Sequence, residues 1–235
     1  MIFNGYDFHK IAHELTFDDG MLAPISNSLT KVSGKQGSVF SKMEFESRII
    51  SSKLLYIGKK VEDPLQALHE IAPMLYANTP KLLRSELLPD RAYMAILNDA
   101  PKIEKNNYAA EIQLEFIAPD PFAYGKTFTY PLKAIDDNEL HVSGSWSTHP
   151  IFSLVATGGE IEINNITNGS VFVFRRNFTN GIKLEIDCYK QKVLVNNKID
   201  MLELGLYEFP TLELGVNYLS VRGATGTVTY TERLI

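Results

Sequence analysis

From Ala110 to Phe116 the chain alternates without a break: Ala110, Ile112, Leu114 and Phe116 are apolar, while Glu111, Gln113 and Glu115 are polar. Successive side chains leave a strand to opposite faces, so a period of two specifies a sheet with one dry and one wet face. Tyr93, Ala95 and Leu97 suggest its antiparallel partner, joined to it across a loop from Asn98 to Asn107. Met43, Phe45, Ser47 and Ile49 repeat the device against Glu44, Glu46 and Arg48, which puts these three charged residues on a wet face. The first half of the chain therefore reads as mainly sheet.

One segment departs from this period. Asp63-Pro64-Leu65-Gln66 offers an N-cap, a proline at the first helical position and a glutamine placed to complete a capping box. Leu65, Leu68, Ile71 and Ala72 then follow helical spacing, so one short helix should pack a face on the sheet until Pro73 kinks or stops it.

The chain has 235 residues, more than the usual domain of roughly 100 to 200, which favours two compact units. From Pro131 to Pro150 the sequence turns polar and small, with Asp136-Asp137-Asn138-Glu139 and Ser143-Gly144-Ser145 lacking either period. This assigns an N-terminal β-rich domain to residues 1–135, a linker to 136–148 and a second domain to 149–235. In the second domain turn signals recur at Asn168-Gly169, Asn180-Gly181, Asn196-Asn197, Gly205, Gly215 and from Gly223 to Gly226. Between them Ile182, Leu184, Ile186 and Cys188 face one way and Lys183, Glu185 and Asp187 the other; Leu202, Leu204 and Leu206 repeat the pattern. The expected fold is mainly β, ending in an antiparallel β-sandwich or jelly roll, with no helix-length segments to build parallel βαβ units.

Few residues point to chemistry. A net charge of −5 disfavours phosphate neutralisation, and therefore nucleic acid as a partner. The start, Met1 to Asp7, has neither a basic region nor an apolar run, and no long apolar segment follows, so a soluble protein made in a cytoplasm and without membrane insertion is expected. Cys188 stands alone on the apolar face of its strand, as a core residue rather than a nucleophile. His9, His13 and Glu14 could supply metal ligands from a helix, but the motif that would make them specific is missing, and they read as a solvated surface group. Asp18-Asp19-Gly20 lacks the ligands of a calcium loop and reads as a turn. Glycosylation-like triplets at Asn165, Asn168 and Asn177 read as turn-forming asparagines. No phosphate loop, dinucleotide fingerprint or nucleophile elbow occurs, and nothing selects a pair of catalytic carboxylates; no catalytic residue, cofactor or metal is expected. Val171-Phe172-Val173-Phe174 is apolar on both faces, as in a strand covered on both sides or one at a subunit contact. Trp146, Tyr189, Tyr207 and Phe209 could form a sugar-stacking platform, which makes a carbohydrate-binding sandwich at a host cell surface the alternative reading.

At Phe116-Ile117-Ala118-Pro119-Asp120-Pro121-Phe122-Ala123-Tyr124 the chain resembles the aromatic, Asp-Pro, aromatic and Tyr stretch of the distal tail proteins of long-tailed phages that infect Gram-positive bacteria. Pro119 and Pro121 fix an extended exit from the sheet and Phe122 and Tyr124 supply apolar anchors; with Phe116 and Asp120 they make a candidate structural hand-over between domains. Further similarities follow in the family's order: Ile2-Phe3-Asn4-Gly5 at the start, Thr148-His149-Pro150-Ile151 leading into the second domain, Gly181 to Asp187 and Leu214 to Leu219. The resemblance implies a non-enzymatic baseplate hub at the virion tail tip, whose first domain closes a six-membered homo-oligomeric ring beneath the tail tube protein. Its second domain would be a galectin-like sandwich directed outward. The implied partners are a tail-tip fibre or lysin-associated protein and a receptor-binding protein. The chain lacks the large insertion that some relatives use for saccharide binding.

Overall fold

The computed structural model describes every residue except Val61, Glu62, Asp136 and 201–203, and omits the side chains of 204–207. Contacts divide the chain into two compact units, one of Met1–Ala123 together with Ile235 and the other of Tyr124–Leu234.

In the first unit the strands are β1 (Ile2–Phe3), β2 (Tyr6–Asp7), β3 (His13–Asp18), β4 (Ile25–Thr30), β5 (Val39–Phe45) and β6 (Arg48–Ile57). A 3-10 turn over Phe8–Lys10 precedes β3. The helix α1 (Asp63–Leu75) follows β6, and then β7 (Lys81–Arg84), β8 (Ala92–Leu97), β9 (Lys102–Asn106) and β10 (Ala109–Ala118). β10 is the axis of the sheet: it pairs antiparallel with β6 along its whole length, from Ala109 opposite Ile57 to Ala118 opposite Arg48. Its other edge takes β9 at the start and β8 at the end. Ala110, Ile112, Leu114 and Phe116 are all buried, as their alternation requires. The segment assigned to a loop after Leu97 instead contains β9, closed onto β10 by the two residues Asn107 and Tyr108.

The alternation over 43–49 is broken by the structure. β5 ends at Phe45, β6 begins at Arg48, and the phase inverts across the break, so that Arg48 is buried and Ile49 is exposed. A period of two cannot register a bend between strands, and Arg48 finds polar partners that the pattern does not show. The helix starts at Asp63 as expected, but its buried stripe is Pro64, Ala67, Ile71 and Leu75, while Leu65 and Ala72 face outward. Pro73 lies inside the last turn, where the helix continues to Leu75. The Asp63 carboxylate accepts from the backbone N–H of Lys59 and Lys60 at 2.7 and 2.8 Å, tying down the approach to the helix; these bonds, the one from Lys60 first, lower its pKa.

In the second unit the strands are β11 (Ala123–Leu132), β12 (Asn138–Val142), β13 (Ile151–Ala156), β14 (Gly159–Asn165), β15 (Ser170–Phe178) and β16 (Lys183–Asp187). They continue as β17 (Lys192–Val195), β18 (Lys198–Ile199), β19 (Leu204–Tyr207), β20 (Gly215–Arg222) and β21 (Ala224–Leu234). One sheet runs β18-β17-β16-β13-β21-β11 and the other β12-β20-β14-β15-β19. The core between them includes Phe152, Leu184 and Ile186 from the first sheet and Ile163, Phe172 and Val221 from the second. This is an antiparallel β-sandwich, and the chain is mainly β. Cys188 belongs to this core, where burial pushes its thiol far above the usual range.

Residues 136–148 differ from the expected linker. Asn138–Val142 form β12, paired with β20, and bury Asn138, Leu140 and Val142 in alternation. Asn138 reads as a loop residue in the sequence, yet its side chain is fully used: Oδ1 accepts from Lys133 N at 2.8 Å, and Nδ2 donates to Lys133 O and Leu219 O, both at 3.0 Å. The turn residues Asn196 and Asn197 close β17 onto β18 with φ of 47° and 64°, as a two-residue hairpin demands. Gly205 falls inside β19 rather than in a turn, and Leu202 lies outside the described residues, as do the side chains of Leu204 and Leu206.

Candidate functional site

The hairpin of β4 and β5 forms a two-stranded sheet of its own, hydrogen-bonded to no other strand among the described residues. Its register pairs Ile25 with Phe45, Asn27 with Met43 and Leu29 with Phe40, so these six side chains share one face. Ser26 with Glu44, Ser28 with Lys42 and Thr30 with Val39 make the other, where Lys42 and Glu44 form an ion pair of 2.7 Å. The register shifts between Ser28 and Leu29, leaving Ser41 as an extra residue. That bulge keeps Phe40 on the side of Met43; plain alternation would turn it to the opposite face. Ile25 is 43% exposed, Leu29 62%, Phe40 59% and Met43 44%. An apolar face this open, on a hairpin too small to be stable alone, calls for a partner surface.

At the root of the hairpin lies a charged cluster that the sequence did not signal as a unit. Asp18 Oδ1 accepts from Gly20 N at 2.9 Å, and Gly20 takes the left-handed φ of 68°, forming the turn expected there. The turn directs Asp19 inward. Its carboxylate lies 3.1 Å from Arg91 Nη1 and 3.9 Å from Arg48 Nη1, and it accepts the Tyr93 hydroxyl. Arg48 Nη1 also donates to the backbone oxygens of Asp19 at 3.0 Å and Gly20 at 3.4 Å, while its guanidinium carbon lies 5.6 Å from the centre of the Tyr93 ring. Burial, reinforced by the bond to Asp19, pushes the Tyr93 phenol up to about 12. Below the cluster, Glu46 N donates to Pro24 O at 2.8 Å and closes the base of the hairpin.

The six residues assigned to the hand-over segment fall into two groups. Phe116 is buried against Phe3, with ring centres 4.9 Å apart. Pro119 is exposed; Asp120 Oδ1 accepts from Phe122 N at 3.3 Å; and Pro121 and Phe122 are buried, with Phe122 edge-on to Phe45 at 5.4 Å. Phe122 therefore supports the end of β5. Tyr124 is the first residue of the second unit, where it borders a hollow of about 190 Å³ with His149, Tyr189 and Thr231.

The remaining candidates do not gather into a site. The expected solvated group is corrected by the structure: the Glu14 side chain is buried, 3.0 Å from the Met1 amine and 3.7 Å from His9 of the 3-10 turn, and His13 alone is exposed, at the start of β3. Among the described residues no three His, Cys, Asp or Glu side chains are grouped to hold a metal, and no helix is long and apolar enough to cross a membrane. The aromatics proposed as a platform are dispersed. Tyr189 meets His149 edge-on at 5.7 Å, Trp146 lines a different hollow with Glu213 and Leu214, and Phe209 packs on Phe172 at 5.4 Å; the Tyr207 side chain lies outside the description. Phe172 and Phe174 are buried in the core, with Val171 and Val173 half-buried behind them. Asn165 is wholly buried, with Nδ2 donating to Thr211 O at 2.7 Å, and Asn177 lies within β15 rather than in a turn.

Comparison with known proteins agrees with this architecture. Residues 10–118 match the sequence model of the phage tail protein RIFT-related domain, and residues 143–234 that of the siphovirus-type tail component, C-terminal domain. No curated protein matches the chain in sequence. Among solved structures, the Dit protein of phage SPP1, described as a paradigm of hub adsorption apparatus in phages infecting Gram-positive bacteria, superposes with a TM-score of 0.87 at 16% identity, over 100% of this chain and 98% of that one. A chain of the phage P2 baseplate in its activated conformation with Ca superposes with a TM-score of 0.53 at 9% identity, over 98% and 93%. With one tail-protein domain matched in each half, and in this order, the chain belongs to the siphovirus-type phage tail component family, that of the distal tail proteins.

Proposed function

We propose that this protein is a structural hub of the phage tail tip, which closes into a six-membered ring and joins the tail tube protein to the tail-tip fibre and receptor-binding apparatus. The observation that carries this reading is the open apolar face of the β4–β5 hairpin in a chain of this family. Packing that face on a different surface of a neighbouring copy is a head-to-tail contact, and such contacts repeated by rotation close a ring. A stable interface buries about 1,200–2,000 Å² in total, which exposed strands with large apolar side chains are suited to supply. The first unit carries the hairpin and would make the ring; the sandwich would face partners at the tip. The role is binding without catalysis, in a protein synthesised in the host cytoplasm and carried on the virion tail tip. The likeness to the SPP1 hub protein and to a chain of the P2 baseplate supports this reading.

Negative-stain imaging of the purified protein, with mass from light scattering, tests it. Rings, or closed oligomers once tail-tube or tip protein is added, are expected. A compact monomer that never associates, even with those partners present, contradicts the hub role. A monomer that binds cell-wall glycan would favour the carbohydrate-binding alternative.

A further inference from the structure

We infer that the cluster of Asp19, Arg48, Arg91 and Tyr93 is a positioning device that sets the angle of the β4–β5 hairpin before any partner arrives. Its consequence for assembly rests on the hub reading; its effect on the hairpin does not. Asp19 follows β3 and precedes the hairpin, and Arg48 opens β6 just after it, so both ends of the arm converge on one ion pair. Arg48 Nη1 reaches the carbonyl oxygens of Asp19 and Gly20 together, holding the backbone that leads into β4.

The energetics favour a directional role over a stabilising one. Arg48 is 1% exposed, and its Nε and Nη2 have no hydrogen-bond partner. A buried ion pair is weak evidence of stabilisation, because apolar side chains in place of the whole pair are often as good or better, while taking away one partner alone leaves the other charge buried and costs stability. What an apolar residue cannot do is hold two carbonyls and a carboxylate in fixed directions, which a guanidinium does. The hairpin gains no orientation from neighbouring strands, because it pairs with none among those described. The Glu46–Pro24 bond closes its base, and this cluster and the Phe45–Phe122 contact tie that base to the sheet. An arm set in direction beforehand loses less freedom on docking, and in a ring an error at one contact recurs at each copy.

Amide hydrogen exchange across 25–45 tests this in the full-length protein, with Arg48→Met, which keeps the stem and removes the fork, and Asp19→Asn. Ile71→Ala, in the buried stripe of α1, is the control for general loss of stability. Both cluster variants should retain the circular dichroism of the wild type, and their hairpin amides should exchange about tenfold faster or more, while Ile71→Ala leaves these amides in step with the rest of the unit. Arg48→Lys, which keeps the charge without the fork, should fall between, and it also serves if Arg48→Met does not fold. The concentration for half-assembly should rise with hairpin exchange rather than with loss of melting temperature. Hairpin exchange in the cluster variants equal to that in Ile71→Ala overturns the inference. Failure of the wild type to assemble would count against the hub reading alone, because the exchange comparison is still decisive for the cluster.

Discussion

The phenol of Tyr93 donates to a carboxylate already shared by two arginines, and burial, with that bond, holds its pKa at about 12 against an ordinary value of 10.0. A group whose pKa is raised on folding contributes stability that is complete below its unfolded value and is lost as pH climbs through the folded one. The first unit should therefore weaken between about pH 10 and about 12, and melting followed across that window should show a flatter decline in Tyr93→Phe. At neutral pH the same variant removes one donor from a buried carboxylate, a loss of about 1–3 kcal/mol in denaturant unfolding. Gly223, between β20 and β21, combines φ of 71° with a backbone so close that an added Cβ would lie 2.0 Å from Glu160 O. Gly223→Ala should destabilise the sandwich by about 3 kcal/mol or more, visible as a lowered unfolding midpoint. Such residues mark the limit of the sequence. Gly223 announces a turn in advance, whereas Asp19 and Arg91 lie 72 positions apart and nothing local tells either that it has a partner.

At the scale of elements, legibility follows how strongly one face is buried. β10 and β16 are packed over one face, so their alternation is clear; the structure agrees with it except at Asp187, which the pattern puts on the wet face and which is buried. The β4–β5 hairpin shows this signal at Met43 to Phe45, the end of β5, and not along β4. β4 reads Ile25-Ser26-Asn27-Ser28-Leu29-Thr30, with polar Asn27 on its apolar face, and the bulge at Ser41 breaks the period of β5. The start of α1 is legible from Asp63 and Pro64, but Asp63 does not cap it as the sequence suggests: it is the first helical residue and its carboxylate accepts from Lys59 and Lys60, while the buried stripe uses Pro64 and Ala67, which a count of large apolar residues passes over. The two faces of the hairpin should behave differently. Ser26→Ala with Lys42→Ala, on the polar face, breaks an exposed ion pair and should shift stability by no more than about 0.5 kcal/mol, with association unchanged by light scattering.

For the whole molecule, two units with separate cores and one uncovered hairpin describe a chain built to be joined to others. The resemblance noted along the sequence and the two matched domains concur on the family, although each short motif is weak by itself. The contacts divide at Ala123 and Tyr124. The most direct measurement is the mass in solution of the wild type and of Leu29→Ser with Phe40→Ser, compared over a range of concentrations and with tail partners added. Both side chains are largely exposed, so the variant should melt with the wild type. A closed oligomer from the wild type and a monomer from the variant are predicted; identical association by the two proteins would contradict assembly through this face.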